Sequence, residues 1–242
     1  MNTKLAVITG ASTGIGQAIA VELGRQGITV YLVARREDRL RETKQQVENA
    51  GGQAEIFVTD LTRLDSINNL LSQIKDKTDH VDILFNIAGL WHGQDEVYVG
   101  KDFDKFDQKI VVDTMMVDLI APTLLVHGVV ALLKKGSSII NISGTFEDGA
   151  KGWLTYYVSK RAVEDLTVGL SQELGDKGIR VNCISPSDVS TEEYKKYFPE
   201  YAKNALSPEE VAQFALELVS KEISGKVYVI KKGQDPKEMF HK

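Results

Sequence analysis

Short runs of apolar, mostly β-branched residues recur along the chain and predict the strands of a sheet. Each run is five or six residues long, too short for a buried helix, and rich in Val and Ile. The runs cover residues 5–9, 28–33, 54–58, 81–85, 138–142, 179–184 and 226–230. Longer stretches with apolar residues at helical spacing separate them, among them residues 15–25, 39–49 and 67–74.

The regular alternation of strand and helix predicts an α/β fold. Strands joined through helices lie parallel, because each connection crosses back over the sheet in a right-handed sense. We therefore expect a doubly wound, Rossmann-like parallel sheet of about seven strands, with helices on both faces. One domain covers residues 1–242, and residues 234–242 form a polar tail of a composition typical of disorder. Ligands bind such sheets beyond the carboxyl ends of the strands.

Composition and charge exclude several classes of partner. The 242 residues are 43% hydrophobic, enough to bury a large core. The formal net charge of -5 argues against nucleic acid and anionic membranes, which select a basic surface. No apolar stretch approaches the roughly 20 residues of a membrane span. The single cysteine, Cys183, cannot form an intrachain disulfide, so we expect a reduced, cytoplasmic protein.

A glycine-rich turn follows the first predicted strand and leads directly into a helix. In TGASTGIG, residues 9–16, the glycines stand at positions 10, 14 and 16, in the spacing G-x-x-x-G-x-G. Glycines let the backbone approach a pyrophosphate, and the free N–H groups of a helix start favour its negative charge. The turn therefore predicts a dinucleotide site. The alternative is a tight strand-to-helix turn without a ligand.

Four motifs in combination resemble the short-chain dehydrogenase/reductase family. They are TGxxxGxG near the N-terminus, NIAG at residues 86–89, Ser143 after the fifth strand, and YxxxK from Tyr156 to Lys160. The resemblance extends from Leu5 to about Gly233. It implies an enzyme that moves hydride between a nicotinamide cofactor and a CH–OH or C=O group. It also implies a homo-oligomer, a dimer or a tetramer, and a small-molecule substrate.

The resemblance places the cofactor contacts in the loops after the strands. The end of the second strand bears on the choice of cofactor, because an acidic residue there would bind a ribose 2′-hydroxyl. This chain has Ala34 followed by Arg35 and Arg36, which favours the 2′-phosphate of NADP(H). The alternative is that these arginines only begin a solvated helix. The implied cofactor-binding residues are Gly10, Ser12, Thr13, Gly14, Ile15, Gly16, Arg35, Arg36, Asp60, Leu61, Asn86, Ala88, Gly89, Tyr156, Lys160, Val189 and Thr191.

Some of these positions have a second interpretation or depart from the family pattern. Asp60 resembles an acidic residue near the adenine, but it equally suits the start of the next helix. Ile87 stands where a second Asn is usual, and Ser187 where a Gly is usual.

Two adjacent tyrosines compete for the catalytic role. Tyr156 and Tyr157 precede Lys160 by four and three residues, so helical geometry brings either one to the lysine. The resemblance selects Tyr156, with Ser143 thirteen residues before it. It implies that Tyr156 exchanges a proton with the substrate and that Ser143 hydrogen-bonds the substrate oxygen. Lys160 would lower the pKa of Tyr156 and hold the nicotinamide ribose.

Asp118 stands where the family usually has an asparagine that supports a proton relay. A carboxylate there favours a charged Lys160 but opposes a phenolate nearby, which puts the relay in doubt. The alternatives are that Asp118 acts as a neutral or water-bridged substitute, or that the alignment of this helix is shifted.

Residues 190–207 carry Tyr194, Tyr197, Phe198 and Tyr201 and predict a mobile lid over a compact or partly apolar carbonyl compound. His92 and His127 have no second ligand at a plausible spacing, so no metal site is expected. Two other functions stay open. One is a cofactor-binding sensor or scaffold with little turnover, and the other is an NAD(P)-dependent epimerase or dehydratase.

Overall fold

The computed structural model describes residues 4–93, 95–147 and 149–239, which form one eight-stranded sheet with helices on both faces. The strand order is β3-β2-β1-β4-β5-β6-β7-β8. Strands β1 to β7 pair in parallel and β8 is antiparallel to β7. The strands are β1 (Leu5–Thr9), β2 (Thr29–Ala34), β3 (Gln53–Val58), β4 (Val81–Asn86), β5 (Leu133–Ile142), β6 (Arg180–Pro186), β7 (Val227–Ile230) and β8 (Lys237–Met239). The doubly wound parallel sheet is thus confirmed.

The strand order reverses between β1 and β4, which opens a crevice at the carboxyl ends of these two strands. Connecting segments of the described chain include nine α-helices. They are α1 (Gly14–Arg25), α2 (Glu37–Asn49), α3 (Leu64–Lys77), α4 (Gln108–Met115), α5 (Ala121–Val129), α6 (Leu154–Gly175), α7 (Glu192–Tyr197), α8 (Pro199–Ala202) and α9 (Pro208–Ser220). A 3-10 turn covers Phe103–Lys105, and a π-helical turn over Met116–Ile120 joins α4 to α5.

Two apolar layers form the core, one on each side of the sheet. Alternate residues of a strand point to opposite faces, so neighbours in β1 enter different layers. Ile8 packs with residues of α1 and α9, whereas Val7 packs with residues of α3 and α5. Strands buried on both faces explain why the predicted runs are almost continuously apolar.

The predicted polar tail contributes the eighth strand. Residues 237–239 pair with β7, with Val227 opposite Met239. The expectation of disorder is therefore wrong for these three residues, and residues 240–242 lie outside the described part of the chain. Backbone groups along the edge of β7 offer hydrogen bonds to any extended segment, whatever its side chains. An ion pair from Lys226 to Glu238, 2.6 Å long, adds to the pairing.

The helical stretch Gln108–Val129 is long and apolar enough to cross a membrane by length and mean hydropathy, which is 1.6 over its most apolar window. The sequence analysis expected no such segment. Its buried residues include Val117, Leu125 and Val129, which pack in the core layer against the sheet. Part of the apolar character of this stretch thus serves packing on the sheet, with 39% of its most apolar window buried. Its π-helical turn carries one buried charge, Asp118.

Candidate active site

The turn after β1 has the geometry of an anion-binding site. Gly10 and Gly14 have φ values of 69° and 58°, in the left-handed region that favours glycine. A Cβ atom on Gly16 would lie 2.3 Å from the carbonyl oxygen of Gly10. Thr13 is the N-cap of α1 and makes no side-chain capping bond, so the first N–H groups of the helix stay available to a ligand. The turn fits the pyrophosphate of a dinucleotide.

The end of β2 lies beside this turn. Arg36 Nη2 is 3.5 Å from Thr13 Oγ1, and Arg36 Nη1 is 3.5 Å from Glu193 Oε1. Ala34 is buried at the end of the strand, and Arg35 is exposed. The structure therefore brings at least one of the two predicted arginines to the glycine turn.

Asp60 makes local contacts in the turn before α3. Its Oδ1 accepts hydrogen bonds from Thr62 N, at 3.0 Å, and from Thr62 Oγ1, at 2.8 Å. Arg63, not Asp60, is the N-cap of α3, and the neighbouring Leu61 is buried. The side chain thus stabilises a turn at the carboxyl end of β3, where it also borders the predicted adenine region.

The loop after β4 packs tightly on the glycine turn. Thr9 Oγ1 accepts from the N–H of Ala88 at 3.2 Å, and a Cβ atom on Gly10 would come within 2.8 Å of that nitrogen. Asn86 behaves differently from the expectation. Its side chain lies inside the sheet and donates to Asn141 Oδ1 at 2.8 Å, so it ties β4 to β5. Gly89 lies between the glycine turn and Lys160, whose Nζ would be 3.3 Å from a Cβ atom there.

Lys160 is almost completely buried, with 1% of its surface exposed. Its Nζ donates to the carbonyl oxygen of Ile142 at 3.2 Å and lies 5.3 Å from the ring centroid of Tyr156. Burial raises the pKa of Tyr156, the Lys160 charge lowers it, and the charge of Asp118 raises it. Burial alone would lower the pKa of Lys160. The pKa is nevertheless raised, because Asp118 and Tyr156 favour the charged ammonium form.

A cavity lies at the carboxyl end of the sheet. Its described lining residues include Tyr156 but not Tyr157. The cavity measures about 490 Å³. The Tyr157 ring packs edge-on against Phe146, with centroids 5.1 Å apart. The placement agrees with the choice of Tyr156 made from the YxxxK spacing.

The hydroxyl of Ser143 has a partner inside the protein, and its predicted bond to a substrate oxygen stays a prediction. Ser143 Oγ donates to Glu164 Oε1 at 2.8 Å, and both residues are buried. The second carboxylate oxygen of Glu164 lies 2.6 Å from Arg161 Nη1. Sequence reasoning missed Glu164, although its position four residues after Lys160 places it on the same face of α6.

Val189 and Thr191 border the same cavity, and their contact with the cofactor stays a prediction. Thr191 Oγ1 accepts from the N–H of Tyr194 at 3.1 Å and thereby caps α7. Its methyl group faces the glycine turn, because a Cβ atom on Gly14 would lie 2.8 Å from Thr191 Cγ2. The segment over residues 190–207 thus begins at the predicted cofactor site, and its predicted mobility stays a prediction.

Aromatic rings enclose the outer part of the cavity. Trp91 lies 6.2 Å from both Tyr194 and Phe198, measured between ring centroids. Trp153 lies 6.2 Å from Phe198 and equally far from Tyr156. Aromatic rings therefore form part of the wall beside the candidate acid.

The described residues hold no cluster of three or more His, Cys, Asp or Glu side chains suited to a metal ion. His92 Nδ1 lies 2.7 Å from the carbonyl oxygen of Gly93, and its ring stacks edge-on with Trp91. His92 therefore makes local packing contacts beside the cavity.

Comparisons with known proteins agree with this geometry. A model of the short chain dehydrogenase family matches residues 4–202. The uncharacterized oxidoreductase YxbG of Bacillus subtilis (strain 168) is 36% identical over 194 residues, covering 79% of this chain and 68% of YxbG. The chain belongs to the short-chain dehydrogenase family. As a short-chain dehydrogenase, it is a nicotinamide-dependent oxidoreductase acting on a CH–OH or C=O group.

Two further relatives of this short-chain dehydrogenase have named activities. A fatty acyl-CoA reductase of Acinetobacter baylyi (strain ATCC 33305 / BD413 / ADP1) is 35% identical over 228 residues, covering 90% of this chain and 73% of that enzyme. The solved structure of the landomycin C-6 ketoreductase LanV with bound NADP and rabelomycin superposes with a TM-score of 0.83 at 26% identity, covering 95% of each chain.

Cys183 of this short-chain dehydrogenase should resist alkylation while the protein is folded. Burial raises the pKa of its thiol to about 12, so the thiolate is scarce at neutral pH, and the side chain is fully buried. We expect no reaction with a thiol reagent at about pH 8 in the native protein and complete reaction in guanidinium chloride. Rapid labelling of the native protein, followed by absorbance, would contradict the burial.

Proposed function

We propose that this short-chain dehydrogenase reduces a compact, largely apolar ketone or aldehyde with NADPH, with Tyr156 as the general acid. The observation that carries the proposal is the position of Tyr156. It lines the cavity beside a buried ammonium group, and the same cavity reaches Ile15 and Thr191 at the glycine turn. A proton donor and a dinucleotide site therefore share one apolar space.

The cofactor, when bound, supplies the hydride to the carbonyl carbon. Negative charge then develops on the carbonyl oxygen, and the Tyr156 phenol gives that oxygen its proton. The Lys160 ammonium stabilises the phenolate that remains, because an opposite charge nearby favours the ionised form. Held by Ile142 and Asp118, this ammonium is already oriented before the substrate binds.

NADPH is the proposed cofactor because of the charges beside the turn. Arg36 reaches the side chain of Thr13, at the place where a ribose next to the glycine turn would lie. A guanidinium group binds a phosphate through charge-assisted hydrogen bonds. Ala34 is uncharged, so this position carries no carboxylate that would repel the phosphate. The NADP of the related ketoreductase structure is consistent with this choice.

The substrate class follows from the walls of the cavity. The rings of Phe146 and Trp153 lie beside Tyr156, with centroids 6.0 and 6.2 Å away, so a ligand there exchanges water for apolar surface. A volume of about 490 Å³ suits a molecule of moderate size. A ring-bearing ketone or a short acyl group attached to the carbonyl fits these walls better than a sugar does.

Two hydroxyl groups after β5 are candidates for a second hydrogen bond to the carbonyl oxygen. Ser143 is the one that the motif spacing predicts, but its hydroxyl must first leave Glu164. Thr145 lies two residues on, and it also lines the cavity. The N–H groups of Ser143 and Thr145 donate to Ile184 and Pro186 in turn, so the chain stays extended and both side chains point to one face. The Thr145 hydroxyl must also leave an internal acceptor, the carbonyl of Ser185 at 3.0 Å, but this acceptor is neutral and so is easier to leave than the paired carboxylate of Glu164.

A homo-oligomer and a cytoplasmic location are further parts of the proposal. The helices before and after β5 carry exposed apolar side chains, Val112 and Ile120 on one and Leu154 and Val158 on the other. Exposed apolar side chains of this kind are typical of an interface between two copies of a protein. They support association through these helices.

Replacing Tyr156 with Phe should stop catalysis and leave cofactor binding intact. The variant keeps the ring but lacks the proton, so we expect a turnover rate about 10³-fold lower and an unchanged affinity for NADPH. The assay follows NADPH absorbance with ketones, aldehydes and 3-oxoacyl thioesters. Tyr157→Phe is the matched control and should retain activity. A wild-type protein that binds NADPH but does not oxidise it with any of these compounds would favour the sensor function instead.

Introducing carboxylates at the end of β2 should change the cofactor preference. In the double variant Ala34→Asp, Arg36→Asp, the phosphate loses its partner and meets two negative charges. We expect kcat/KM for NADPH to fall about 10- to 100-fold relative to that for NADH. Arg39→Asp, on the exposed side of α2, is the control for the change in surface charge. Unchanged selectivity in the double variant would refute the role of Arg36.

The two hydroxyl candidates can be separated by side chains of matched shape. Thr145→Val keeps the volume and removes the hydroxyl, so we expect kcat to fall roughly 10- to 1,000-fold, with Thr145→Ser close to wild type. Ser143→Ala should lower thermal stability, since it leaves Glu164 short of a donor, and should change kcat only a few-fold. A large loss of kcat in Ser143→Ala with an active Thr145→Val would instead identify Ser143 as the donor.

A further inference from the structure

A buried carboxylate lies directly behind the candidate acid and base. Asp118 is 2% exposed, and its Oδ1 lies 3.7 Å from Lys160 Nζ. Oδ1 also accepts from the N–H of Leu90 at 3.0 Å, and Oδ2 lies 3.1 Å from Ser159 Oγ. The N–H of Leu90 thus donates to this carboxyl group and the Lys160 ammonium faces it as an ion pair, while the Ser159 hydroxyl also lies 2.8 Å from the carbonyl oxygen of Tyr156. Burial raises the pKa of Asp118, and the Lys160 charge and the hydrogen bonds from Leu90 and Ser159 lower it. The adjacent ammonium favours the ionised carboxylate.

This carboxylate lies in the π-helical turn Met116–Ile120. The turn interrupts the helix between α4 and α5 and carries Asp118 at its centre, facing the loop after β4. Gly89 of that loop has no side chain, and a Cβ atom there would be 3.3 Å from Asp118 Oδ1 and equally far from Lys160 Nζ. The absence of a side chain at Gly89 lets the backbone pack directly against the ion pair.

Few other charges face this pair within the described residues. On α6, Glu164 lies one turn beyond Lys160 and is paired with Arg161. On β6, the thiol of Cys183 is buried and protonated at neutral pH. The remaining neighbours are uncharged groups, namely the carbonyl of Ile142 on β5, the N–H of Leu90 and the hydroxyl of Ser159. The charges that act on Tyr156 are therefore those of Lys160 and Asp118.

The net charge of this buried group decides how easily it loses a proton. With Asp118 ionised, Lys160 charged and the Tyr156 phenol neutral, the net charge is zero. Loss of the phenol proton leaves a net negative charge away from water, which is unfavourable. Without the carboxylate, the same loss would convert a net positive charge to zero, which burial favours. Asp118 therefore opposes the phenolate that Lys160 alone would promote.

We propose that Asp118 is a positioning residue that keeps Tyr156 protonated through the neutral and mildly alkaline range, and so adapts the site to carbonyl reduction over alcohol oxidation. The inference rests on the proposed function, in which Tyr156 exchanges the proton with the substrate. Reduction needs the phenol and oxidation needs the phenolate. The equilibrium between ketone and alcohol is unchanged, and what Asp118 sets is the pH range in which each direction is fast.

The test compares the wild type with Asp118→Asn, which keeps the shape of the side chain and an oxygen for the N–H of Leu90. Phenolate absorbance is followed against pH with NADP⁺ bound, and the signal of Tyr156 is isolated by subtracting each protein's Tyr156→Phe counterpart. We expect the Tyr156 midpoint to fall by about one pH unit or more in Asp118→Asn. The pH at which alcohol oxidation becomes fast and ketone reduction begins to slow should fall by the same amount, because reduction needs the phenol and oxidation the phenolate; at any one pH the ratio of kcat/KM for the two directions stays fixed by the equilibrium.

Controls separate this effect from a general one. Asp113→Asn removes the same charge from the same helical stretch, but its carboxylate pairs with the exposed Lys109, so the midpoint should not move. Asp118→Ser provides a second removal of the charge, and thermal unfolding confirms that each variant is folded. A midpoint in Asp118→Asn and Asp118→Ser that stays or rises would overturn the proposal. Wild-type turnover that survives Tyr156→Phe would overturn the proposed function instead, and the absorbance titration is read independently of turnover.

Discussion

The burial of one ammonium group is the constraint on which the site depends. Lys160 lies inside the protein where four segments of the chain meet. The end of β5 and the π-helical turn supply its polar partners, and the loop after β4 and α6 itself pack around it. A charge left without such partners in a dry interior would cost several kcal/mol. The chemistry at the Tyr156 phenol therefore depends on how these four segments pack together.

The sheet supplies the rigidity that holds these segments in place. Parallel strands β1, β4, β5 and β6 end at the same level, so the loops after them converge on one crevice. Asn86 and Asn141 link β4 to β5 within the sheet, and Asn141 in turn donates to Thr167 on α6 at 2.9 Å. These buried hydrogen bonds fix the position of α6 relative to the strands, and therefore the positions of the residues that α6 contributes to the site.

The sequence alone predicts the repeating parts of this protein well and the directions of single side chains poorly. Runs of Val and Ile indicate strands β1 to β7. Strand β8 has the polar sequence KEM and is held by backbone pairing, so no apolar pattern in the sequence predicts it. The spacing of Ser143 and Tyr156 locates two residues along the chain. It does not say that the serine hydroxyl turns toward a carboxylate such as Glu164, because that partner lies on a different element.

The antiparallel strand at one edge of the sheet has a consequence for handling the protein. Residues 237–239 cover the backbone groups of β7, which would otherwise face solvent as an open template for another strand. Shortening the chain after Gly233 would expose that template to neighbouring molecules, and self-association through sheet extension would follow. Residues 237–239 thus protect the sheet against aggregation by leaving only a short polar strand at its edge, although they lie far from the candidate catalytic crevice in the strand order.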